Sequence, residues 1–150
     1  TVRRSRPPTA AAELRALAIL MTYRVTQKEI EQVSALDGPA RYAHFIKRVA
    51  DWEQVWGLHT RGGWALADSE GVEAFPLWPH PEYAKLQAQG QWQNYVPEPI
   101  QLEAFLGEWL PDMQDKLVQL AVFPVGNFQA VIVPASQLLQ DIKAELQNYE

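Results

Sequence analysis

Between Trp52 and Val55 the spacing of apolar residues changes from three and four to two. A chain that carries both periods at length must build helices and strands alike, which places it in the α+β class. Before the change, Tyr42, Phe45, Ile46, Val49 and Trp52 form one helical stripe, with Lys47, Arg48 and Asp51 mostly off it. Pro39 suits the first position of that helix. The helix before it opens at Thr26-Gln27-Lys28-Glu29, a capping-box pattern, carries Ile30 and Val33, and is expected to stop at Asp37-Gly38 with glycine as a left-handed cap.

After the change come three short runs, residues 55–60, 64–68 and 72–78, separated by Arg61-Gly62-Gly63 and Ser69-Glu70-Gly71. Glycine reaches the positive φ of tight hairpin turns, so the expectation is a three-stranded meander with Trp56 and Leu58 on one face. Pro76, Pro79 and Pro81 end it, and Pro81 can start a short helix through Tyr83 and Leu86 to Gly90. Tyr95-Val96-Pro97-Glu98-Pro99 reads as an extended connection, because a residue before proline avoids helical angles. Leu102, Phe105, Leu106, Trp109 and Leu110 mark an amphipathic helix stopped at Pro111.

Residues 117–123 and 128–133 flank Pro124-Val125-Gly126-Asn127 and read as a second hairpin, central and covered on both faces. Ser136 is the expected cap of a last helix built on Leu138, Leu139, Ile142 and Leu146. The fold expected is α+β, with a mostly antiparallel five-stranded sheet of meander plus C-terminal hairpin, packed with helices.

No repeat or linker divides the 150 residues, a length suited to one domain. Residues 1–20 carry four arginines (Arg3, Arg4, Arg6, Arg15) against Glu13, a net of +3. Met21 is read as the natural start. Residues 1–20 are then an upstream extension, with a poorly ordered basic arm or a short helix over residues 10–20 as the alternatives, and residues 21–150 are the single α+β domain. Those later residues hold nine basic and seventeen acidic groups, a net of −8, which disfavours nucleic acid. No apolar run is long enough for a membrane helix. Cysteine is absent, which suits a cytoplasmic location and leaves no thiolate chemistry.

Catalytic and metal patterns are equally sparse. His44, His59 and His80 have no second histidine or carboxylate at ligand spacing, so no metal or other cofactor is expected. G-x-S-x-G is missing, no glycine turn leads into a phosphate-binding helix, and no carboxylate pair stands out, all of which argue against an enzyme. Six tryptophans are the unusual feature. Periodicity assigns Trp52, Trp64 and Trp109 to the core. Trp78 leads into Pro79-His80-Pro81, which reads either as a pre-ordered recognition loop or as a strand-to-helix corner.

Two functions follow. The first is a non-enzymatic module that binds a protein partner or a second copy of itself, since aromatic residues are enriched at interfaces. The alternative is a small-ligand binder or enzyme with a pocket around Trp56, His59, Trp64, Trp78 and His80.

Trp56-Gly57-Leu58, Gly63-Trp64-Ala65-Leu66 and Pro76-Leu77-Trp78-Pro79-His80-Pro81-Glu82-Tyr83-Ala84 are followed in order by Trp109-Leu110-Pro111 and Ala121-Val122-Phe123-Pro124. Together these strings resemble a bacterial family known as domain of unknown function 2750, over roughly residues 25–148. The resemblance implies small bacterial proteins without an established activity, and it carries over no catalytic residue.

Overall fold

A computed structural model gives the fold and describes residues 10–69 and 71–149. Arg3, Arg4, Arg6 and Glu70 lie outside them. Residues 10–21 form helix α1 (Ala10–Met21), whose Arg15 reaches Glu98. Helix α2 (Gln27–Ser34) starts as the capping pattern requires, with Thr26 Oγ1 accepting from the Glu29 N–H at 3.1 Å. The reciprocal bond of a capping box is not made: the Glu29 carboxylate turns to Arg48 instead, at 3.3 Å.

Gly38 is not a left-handed cap. Asp37 caps the next helix, accepting from the Ala40 N–H at 2.9 Å, and α3 (Gly38–Trp52) begins at once with Pro39 behind it. Its stripe buries Phe45, Ile46 and Val49, but Trp52 at the last turn is 40 % exposed and leans on Tyr23 rather than filling the core.

The strands depart most from expectation. The described residues form two sheets, not one. Strand β1 (Gln54–Thr60) is flanked by β2 (Gly63–Trp64) and β5 (Val96–Gln101), both antiparallel. A mixed sheet of four runs β3 (Ala67–Ser69), β4 (Val72–Leu77), β6 (Gln119–Val125), β7 (Gln129–Val133), with β4 and β6 parallel. The expected middle strand of the meander is cut in two at Ala65–Leu66, because Trp64 pairs back onto β1 while Ala67 pairs forward onto β4.

The sheets meet where Trp56 and Trp78 form an isolated antiparallel bridge. That bridge explains how a segment with Pro97 and Pro99 becomes a strand. Trp56 spends its N–H and C=O on Trp78, and the Leu58 carbonyl accepts from Ala65. Both residues therefore face away from β5, where they stand opposite Pro99 and Pro97. A proline nitrogen at those positions points off the open edge, where no ladder bond is lost.

Helix α4 (Pro81–Gln87) follows β4 as expected. Pro111 does not stop the later helix. Three residues of α5 (Leu102–Ala104) run into a π-helical turn, Phe105–Trp109, and on into α6 (Leu110–Lys116). The Leu110 N–H donates to the Phe105 carbonyl, five residues back, and the widened turn carries the proline through.

In the second hairpin β6 is buried as expected, but β7 is an edge strand with Ile132 exposed, because only β6 pairs with it. A bulge between Val122 and Val125 turns two carbonyls out of the ladder. Arg41 Nε takes that of Phe123 at 3.0 Å and Trp78 Nε1 that of Pro124 at 2.9 Å. Helix α7 (Ala135–Leu146) is preceded by Pro134 rather than capped by Ser136, and buries Leu138 and Ile142.

Candidate functional site

Gly57 on β1 has no side chain, and Trp64 occupies the space above it. A Cβ at position 57 would stand 2.9 Å from Cε3 and Cζ3 of the indole. Because β2 folds back immediately after the turn at residues 61–63, Trp64 is delivered across its own hairpin onto that glycine.

Around Trp64 the structure gathers rings from three elements. Phe75 of β4 lies 5.8 Å away between centroids, and Trp109 from the π-helical turn meets Trp64 edge to face at 5.1 Å. Phe75 and Trp109 also touch, at 5.7 Å. Contacts this short fill the space between the rings, so no cation is enclosed among them. The rings instead form a continuous floor. Phe75 is buried, Trp64 and Trp109 are half-buried, and Leu66 and Met113 extend the apolar surface into a groove of about 790 Å³.

The rim is charged. Asp112 pairs with Lys116 at 3.0 Å, whereas Glu108 has no partner among the described residues, leaving the rim net negative. On the far side of Trp64 the His59 ring packs edge-on at 4.8 Å. His59 Nδ1 faces Glu98 Oε2 at 2.8 Å, and Arg15 Nη2 donates to Oε1 of the same carboxylate at 3.1 Å. This chain of contacts orients the histidine and ties α1 to β5. No hydroxyl is bonded to His59 among the described residues, so the histidine–carboxylate pair has no attached nucleophile.

The five residues anticipated as a pocket are therefore divided. Trp64 lines the groove, and His59 packs against that indole without lining it. Trp56 and Trp78 are fully buried where the sheets join, and His80 is 4 % exposed. His80 is a helix cap: its Nδ1 accepts from the Glu82 N–H at 3.1 Å, which leaves the proton on Nε2 to be donated to the Tyr23 carbonyl at 2.6 Å. Burial, ahead of the opposing effect of that bond, holds its pKa below the ordinary histidine value. Trp78 to Pro81 is thus the corner, not an exposed loop.

Phe75, Glu108 and Trp109 were not among the anticipated residues. The available signal was Pro111, set between helix-forming residues on both sides, which marks a distorted turn rather than an end. No group of three or more His, Asp or Glu side chains among the described residues could hold a metal ion. No helix among them is long and apolar enough to cross a membrane.

The family described as "Protein of unknown function (DUF2750)" matches the chain over residues 42–142. No curated protein and no solved structure matches it.

Proposed function

The chain belongs to the DUF2750 family, and we propose that it acts there as a non-enzymatic interaction module, receiving a cationic, apolar-anchored segment of a protein partner in the Trp64–Trp109 groove. The observation that carries this reading is Trp109. It is held half-exposed by a π-helical turn, a distortion that recurs at functional positions, directly beside the unpaired carboxylate of Glu108. Half-exposed tryptophans on a rigid floor are the residues that anchor interfaces, and an acidic rim on an acidic chain selects a basic partner.

Of the residues anticipated from sequence, Trp64 belongs to this surface and His59 packs against it, while Trp56, Trp78 and His80 lie in the interior. A bacterial cytoplasmic setting fits a chain without cysteine. Self-association through the β5 edge is disfavoured, because Pro97 and Pro99 leave that edge without donors at two positions.

A photo-crosslinker placed at exposed Leu66 tests the proposal in cells. The expected result is a discrete adduct with another protein that disappears in Trp109→Ala and weakens in Glu108→Lys. An adduct indifferent to both changes, or only crosslinked copies of the chain itself, would overturn it.

A further inference from the structure

A second concavity, about 920 Å³, shares no residue with the aromatic groove. It lies between α4 and the short turn Gly90–Trp92 on one side, and β3, the end of α2 and the β6–β7 hairpin on the other. The sequence delivers it through the corner described above: the helix that Pro81 starts carries Tyr83 and Gln87 to its wall.

Its polar lining is almost entirely neutral. Gln87, Gln89, Gln91 and Asn127 present amides and Ser34 a hydroxyl, while Tyr83 backs the wall with its own hydroxyl fully buried. Among the described residues no lysine, arginine or histidine lines it, and the one carboxylate there, Asp68, already accepts from the Gly71 N–H at 2.9 Å. Gln87 Nε2 spans to the Gly126 carbonyl at 3.3 Å and Gln89 Nε2 to that of Leu86 at 2.9 Å. The side chains of Ser34, Gln91 and Asn127 make no hydrogen bond among the described residues. Tyr83 is only 1 % exposed, yet its hydroxyl has no partner there either. Burial, with Glu29 adding to it, pushes that phenol up to about 12, so it remains a donor at neutral pH. The apolar wall is made by Trp92 and Phe128, whose rings meet edge to face at 5.4 Å. Phe128 holds a left-handed backbone at φ 59°, which side chains other than glycine rarely adopt.

We infer that this concavity is a binding site for a neutral polyhydroxylated ligand, a sugar or polyol. Anions are disfavoured because none of the cationic side chains that favour phosphate and carboxylate lines it among the described residues. Amides and hydroxyls donate and accept at once, as sugar hydroxyls do, so each can satisfy a hydroxyl whichever way its proton points. The aromatic wall suits the C–H face of a sugar ring.

Titration of the full chain with glucose, maltose and glycerol, followed by tryptophan fluorescence, tests the inference, with inorganic phosphate as the anionic probe. The expected result is a saturable change for at least one neutral probe, absent in Trp92→Phe, and none for phosphate. Gln91→Ala, which removes an exposed amide from the lining, should weaken that binding several-fold. The same variant should leave the thermal midpoint of the free protein unchanged, since the amide has no partner to lose among the described residues. Asn127→Ala, at an exposed position that folding does not need, should weaken binding several-fold. The inference is overturned by no saturable change with any neutral probe at millimolar concentration. Phosphate binding as tight as sugar binding, or unaltered affinity in both Gln91→Ala and Asn127→Ala, would overturn it equally.

Discussion

Trp56 and Trp78 hold the two sheets together through their main chains, with the Trp56 N–H on the Trp78 carbonyl at 2.9 Å and the Trp78 N–H on the Trp56 carbonyl at 2.8 Å. Their indoles are both fully buried but differ in one respect. Trp78 Nε1 donates to the Pro124 carbonyl, while Trp56 Nε1 has no partner among the described residues.

That difference predicts an inequality. Trp78→Phe loses ring volume and strands a buried carbonyl, and should cost about 3 kcal/mol. Trp56→Phe loses volume alone and should cost about 1–2 kcal/mol. Urea unfolding of the two variants measures the gap, and equal losses would show that the bond to Pro124 contributes nothing.

His80 makes stability depend on pH. Burial lowers its pKa from an ordinary value of 6.5, so the folded state binds the proton less readily than the unfolded chain. Stability should therefore be complete above about pH 6.5 and fall as pH drops below the unfolded value toward the folded one. His44, lowered by burial and then by Arg48, adds in the same direction. His80→Asn preserves a capping acceptor while removing the titration, so the urea midpoint of the variant should fall less between pH 7.5 and 5.5 than that of the unaltered protein.

Gly57 is where the candidate groove and the fold share one atom's worth of space. Gly57→Ala must displace Trp64 from the surface of β1, at a cost of about 1–3 kcal/mol. Trp64 emission should shift and the groove crosslink at Leu66 should weaken, with Trp109 untouched in sequence. An alanine variant with wild-type stability and emission would show that the ring yields freely.

Arg41 is 5 % exposed and donates to three carbonyls, those of Leu36 at 2.8 Å, Phe123 at 3.0 Å and Gln129 at 3.2 Å. Arg41→Met should cost more than about 3 kcal/mol, because the acceptors around the bulge lose their donor together. Arg41→Lys should recover only part of this, since an ammonium cannot reproduce the planar fork. Thermal or urea unfolding orders the three proteins.

Local features were legible because their causes lie within a few residues. Thr26 as a cap, Pro39 and Pro81 at helix starts and Gly126 in a turn follow from capping geometry and allowed backbone angles. The candidate site was half legible. Trp64 and His59 stand out in the sequence, but Phe75 and Trp109 reach Trp64 from a strand and a helix further along the chain.

The sequence by itself determined the class of fold, through the change of apolar period after Trp52, and most of the places where elements begin. Tertiary structure alone decided which strands pair: that residues 64–68 divide between two sheets, that β4 and β6 run parallel, and that a proline-bearing segment becomes the edge beside β1. It also decided which tryptophans are buried. Capping and periodicity act over one or two turns of chain, whereas strand pairing and ring packing are settled by the partners that remain unsatisfied when distant segments meet.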